Sequence, residues 1–199
     1  MATVDHVHEH HVPLEFTPTQ RLRMNRVGFW LFIISEVFLF SGILVTRITL
    51  LGGTRPELDQ RLGLIITAIL LVSSFFVNRA EVAIAYNDRR NFMLSLAIAI
   101  IMGVIFTGGV AYEWSIAHQG PDESIAFGMF FFMTGMHALH VITGILFLMI
   151  VFYNGMKGHY DAEKHFGVEA SAIYWHFVDV VWVFFYVSLY LVGTVAETH

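Results

Sequence analysis

Five side chains that could move a proton or bind a metal sit inside runs where an apolar chain tolerates them least. Glu36 lies midway along the apolar run 27–47, His137 and His140 stand three apart in 125–153, and His176 and Asp179 stand three apart in 170–195. About ten residues into its run, Glu36 is expected roughly 15 Å deep at 1.5 Å per residue. At that depth a carboxyl is either a proton-active or partner-binding group, or a neutral acid hydrogen-bonded to a neighbouring helix or lipid. Both readings of Glu36 stand on its position alone.

The His137 and His140 spacing puts two imidazoles on one side of a helix, which would suit a metal or haem pair if a facing helix supplied more ligands. Only His176 offers a third imidazole in a span. Hydrogen bonding between helices is the preferred reading, with Thr134, Gly135 and Gly144 permitting close approach. No metal, haem or catalytic residue is expected in this chain. In the last run, His176, Asp179, Val183, Tyr186 and Tyr190 fall within roughly an 80° arc of a helix. With Tyr174 they predict a polar face packed against protein, because an ionisable group at the bilayer centre costs roughly 2.5 to 3.5 kcal/mol.

The elements that must carry these groups are five membrane spans, at about 27–47, 62–86, 92–114, 125–153 and 170–195. The 199 residues are 56% hydrophobic and 14% charged, too apolar for an ordinary soluble domain. The expected fold is an all-α integral membrane bundle, its domain running from residue 26 to 199 behind a polar tail, 1–25. All four prolines lie outside the spans, so unbroken helices are expected, with consecutive ones packed antiparallel across short connections. Arg79 and Glu81 near a span end, and Glu113 with Trp114 at another, are expected to reach the membrane interface.

Eight Lys and Arg residues flank the amino-terminal side and the second and fourth connections, against three on the other side. That asymmetry predicts the amino terminus inside and the carboxyl terminus outside. The tail carries His6, His8, His10 and His11 beside Asp5, Glu9 and Glu15, with Pro13 and Pro18 expected to break any helix. It is read as a solvated tail and not as a signal peptide. The absence of cysteine excludes disulfides and thiolate chemistry. The net charge of −5 without a basic cluster argues against nucleic acid as a partner.

Tyr174-Trp175-His176-Phe177-Val178-Asp179-Val180-Val181-Trp182 resembles the last helix of subunit III of the haem-copper cytochrome c oxidases. Ser35-Glu36-Val37-Phe38, Asn87-Asp88-Arg89-Arg90, Thr134 to Val141 and His165 to Ala170 resemble segments of the same family in the same order.

The resemblance implies a subunit of a proton-pumping oxidase of aerobic respiration, without redox centres of its own. It implies subunits I and II as partners, with haem and copper held there, bound phospholipid, and a bacterial inner-membrane location. The carboxyl matching Glu36 is the family's carbodiimide-reactive, proton-linked group. Lys157 and His159 match positions near lipid headgroups, although Asn154 stands where the family has an arginine. The chain resembles the short bacterial form with five helices, whereas the mitochondrial form has seven. Cytochrome c is favoured as donor over quinol, and a nitric-oxide-reductase-associated homologue is the other branch. Outside the family, a haem-binding anchor built on His137, His140 and His176, or a small transporter built on Glu36 and Asp179, are the alternatives.

Overall fold

The computed structural model describes residues 17–195. The tail histidines His6, His8, His10 and His11, with Asp5, Glu9, Pro13 and Glu15, lie outside the described residues. Five long helices follow in order: α1 Pro18–Leu51, α2 Gln60–Ala85, α3 Arg89–Ile116, α4 Ile125–Met156 and α5 Phe166–Tyr186. A π-helical turn, Val187–Leu191, continues α5. Each of the five is long and apolar enough to cross a membrane. The fold class is therefore all-α, as the hydrophobic runs predict.

Local chemistry sets the helix ends. Thr17 caps α1 by accepting from the Gln20 amide at 3.3 Å, while the Gln20 side chain accepts the Thr17 amide at 2.9 Å. This reciprocal cap starts the helix well before residue 27. Pro18 does not break it, contrary to expectation. It occupies the first turn, where its missing N–H costs nothing and its fixed φ suits the helix. Asp59 caps α2 through the Arg61 and Leu62 amides, and Ser124 caps α4 through Phe127. Between α2 and α3, Asn87 takes a positive φ of 56° and Asp88 caps α3. The Asn91 backbone and side-chain amides hold the Asp88 carboxyl below the usual carboxylate range.

Helices α2, α3, α4 and α5 close a ring, with α2 against α3, α3 against α4, α4 against α5 and α5 back against α2. Helix α1 stands outside that ring against α4 and α5, so its principal neighbours are not the helix that follows it. Only Ile33, Phe40, Ile43 and Arg47 of α1 are buried. Inside the ring, Trp175 packs fully buried. It fits because Gly103 and Gly144 leave room: a Cβ would fall 2.6 Å and 2.9 Å from its ring. Close approach of this kind is what drives helix association where lipid is as apolar as leucine.

The last helix is not uniform as expected. Its π-helical turn frees a carbonyl at Ser188, which accepts from the Arg47 guanidinium at 2.7 Å. Arg47 also donates to the carbonyls of Gly52 and Thr54. A two-residue parallel strand pair, β1 Thr54–Arg55 with β2 Thr194–Val195, ties the same end together.

Candidate functional site

Glu36 reaches across the gap from α1 to α4. Its Oε2 lies 2.9 Å from Nε2 of His140, and both side chains are largely shielded, at 15% and 17% exposure. The face of α1 that does this is built at helical spacing, four residues apart. Phe32 stacks on Tyr174 with centroids 6.0 Å apart, Glu36 meets His140, and Phe40 sets its ring edge against His140 with centroids 4.7 Å apart. Tyr174 donates its O–H to the His140 carbonyl at 3.3 Å.

The protonation of His140 follows from its other bond. Nδ1 lies 2.7 Å from the Met136 carbonyl, which only accepts, so Nδ1 carries a proton. One proton is then shared between Nε2 and Glu36: a carboxylic acid donating to neutral imidazole, or an imidazolium donating to carboxylate. Either arrangement is neutral overall. Transfer between them needs no movement of heavy atoms and puts no net charge in the membrane.

The three intramembrane imidazoles do not converge. His137 is fully buried, donates Nε2–H to the Val178 carbonyl at 3.1 Å, and is enclosed by Phe106, Trp182 and Phe185. His176 turns to α2 and bonds through Nδ1 with Ser74. Each ring thus faces a different helix, so the pair on α4 that spacing suggested for a ligand set is split. Among the described residues, no three His, Asp or Glu side chains gather at metal-binding spacing.

Asp179 is buried at 4% exposure, while Val183 on the same arc is exposed, and neither Asp179 carboxyl oxygen has a hydrogen-bond partner among the described residues. Lys157 and His159 are exposed just past the end of α4, and the Lys157 ammonium rests 4.2 Å from the Tyr153 ring centroid.

Glu113 corrects the sequence reading. It does not reach out to the interface as expected: it is 2% exposed, and its Oε2 accepts the Tyr190 O–H at 2.6 Å. The physical reason is that α3 runs on to Ile116, which puts Glu113 within the packed bundle and opposite the π-helical turn. Trp114 is half-buried and donates its indole N–H to the Thr134 hydroxyl at 3.0 Å. Arg47 and Ser74 were also missed. An arginine next to a span end reads as a flanking charge, and a serine in an apolar run carries no signal of its partner.

An apolar groove of about 340 Å³ opens between α1 and α5 beside Phe40, walled by Val37, Leu44, Phe177, Val180 and Phe184 among others. With this geometry, one comparison is decisive. The family model described as cytochrome c oxidase subunit III matches residues 5–194. The chain belongs to the cytochrome c oxidase subunit III family. It is 37% identical over 197 residues to cytochrome c oxidase subunit 3 of Thermostichus vulcanus, covering 94% of this chain and 92% of that relative. It is 39% identical over 182 residues to the subunit of Equus caballus and 38% to that of Bos taurus, covering 85% of this chain and 70% of each relative. Members of this family are multi-pass subunits of an oxidoreductase complex and assemble with other oxidase subunits.

Proposed function

We propose that this chain is the non-redox subunit III of a proton-pumping haem-copper cytochrome c oxidase. It binds subunits I and II, which hold the haem and copper, in a bacterial cell membrane with its amino terminus inside. There it stabilises the catalytic subunit and supports sustained proton uptake and access for oxygen and lipid. The observation that carries this reading is the Glu36–His140 pair, a carboxyl and an imidazole 2.9 Å apart between the outlying helix and the ring.

The chemistry open to that pair is proton storage. Gaining or losing one proton changes its charge by one unit in a weakly screened setting, so each state responds strongly to charge nearby. The adjoining groove suits an acyl chain or a small apolar molecule such as oxygen, because its walls are hydrocarbon apart from Ser41. Lys157 and His159 would meet a phospholipid headgroup, the lysine as a point charge for phosphate. The names of the relatives favour cytochrome c as donor. Quinol oxidase and nitric-oxide-reductase-associated homologues are the other branches of the proposal.

The test is Glu36→Gln in the purified complex. Assembly and haem content are expected to match wild type, carbodiimide labelling at residue 36 to vanish, and turnover to decline faster over repeated cycles. Loss of haem from the complex would contradict a peripheral role, and failure of the wild-type chain to copurify with haem-bearing subunits would overturn the function.

A further inference from the structure

A second carboxyl, far from Glu36, has the features of a working site. Glu113 lies at the end of the bundle where α3 finishes and α2 begins. Its Oε2 is fixed by Tyr190, and Tyr190 is itself locked. A Cβ on Gly63 would fall 2.5 Å from the Tyr190 ring, Tyr186 stacks on it at 5.1 Å, and its carbonyl accepts from the Gln60 side-chain amide at 3.3 Å. Oε1 of Glu113 is buried and has no partner among the described residues. This side chain forms part of the wall of a pocket of about 360 Å³, with Glu57, Asp59, Ile116, Ala117 and His118 around it. Since water's share of liquid volume is about 30 Å³, the pocket has room for several molecules.

We infer that Glu113 is a proton-binding site, held by Tyr190 and loaded through water in the pocket walled by Glu57, Asp59 and His118. The groups facing it are Tyr190 from the π-helical turn, with Tyr186 stacked on Tyr190, Glu57 and Asp59 from the segment before α2, and His118 from the segment after α3. Among the described residues, no lysine or arginine lines the pocket. A carboxylate there would be a buried charge beside two more acids without a fixed cation, whereas a carboxylic acid is neutral. Glu57 and Asp59, both exposed, stand at the mouth as collecting groups. This site lies at the opposite end of the bundle from the Arg26–Glu169 ion pair, and it does not rest on the oxidase reading.

Infrared difference spectra of the purified complex in H2O and D2O test this directly. The expected result is a protonated-carboxyl C=O band that disappears in Glu113→Gln and shifts promptly on transfer of wild type to D2O. Tyr190→Phe keeps the carboxyl and loses the phenolic donor, so it should move the band without abolishing it. If Glu113→Gln does not fold, that variant alone carries the assignment. Glu57→Gln combined with Asp59→Asn should slow the D2O shift. A spectrum unchanged in both Glu113→Gln and Tyr190→Phe, a band indifferent to D2O, or an undiminished rate in the double variant would each overturn the proposal. Electron donor and haem type do not enter any of these outcomes.

Discussion

The Met136 carbonyl decides how His140 behaves, because it fixes the Nδ1 proton and leaves Nε2 to share one with Glu36. Spacing alone shows that Glu36 and His140 are costly in a membrane. It does not pair them, since they are 104 residues apart and their meeting depends on which helix α1 lies against. Asp179 is the converse case: it is buried, but no group among the described residues is bonded to it. Removing a residue harms most when it orphans a partner, at about 1 to 3 kcal/mol. Asp179→Ala orphans none here, so the stability of the isolated chain is expected to stay level or rise. Detergent unfolding of the purified subunit checks this. A loss of stability would instead show that Asp179 holds a neighbour within the bundle, Ser74 being the side chain beside it.

At the scale of elements, the spans were legible because five apolar runs of this length suit little besides a bilayer crossing, whereas their ends were not. The capping box at Thr17 is side-chain chemistry preceding a polar turn, which hydropathy does not register. The π-helical turn is stabilised by Arg47 from another helix, a tertiary effect invisible in the local sequence. Gly144 was legible as a close-approach residue, and the fold names what approaches. Its Cβ would meet Trp175 at 2.9 Å, with Tyr174 at 3.4 Å, so Gly144→Val is expected to destabilise by about 1 to 3 kcal/mol through overpacking. Gly42 on α1 has open space around its Cβ position. Gly42→Ala should therefore be neutral or stabilising by up to about 1 kcal/mol, because alanine favours the helix. Parallel unfolding of the two variants in detergent separates packing from propensity, and equal losses would count against the Trp175 pocket.

For the whole molecule, the outlying position of α1 changes what holds the chain together. Its polar ties to α5 and α4 occur at three depths: Arg26 to Glu169 at 2.9 Å, Glu36 to His140, and Arg47 to the Ser188 carbonyl. The first and last of these lie at opposite ends of α1, so they mark the two faces of the membrane. Lys and Arg are denser on the Arg26 side, eight against three, and by the positive-inside rule this is the ground for proposing that side as the inner one. The chain has no cysteine, so single-cysteine variants report orientation without background. Asp122 and Glu163 are both exposed, on connections at opposite ends of α4. A membrane-impermeant maleimide is expected to label Asp122→Cys in intact cells, and Glu163→Cys only after the membrane is opened. The reverse pattern would invert the topology and place the Glu113 pocket inside and the Arg26–Glu169 pair outside, while leaving every helix contact as it is. Labelling of both in intact cells would deny that α4 crosses at all.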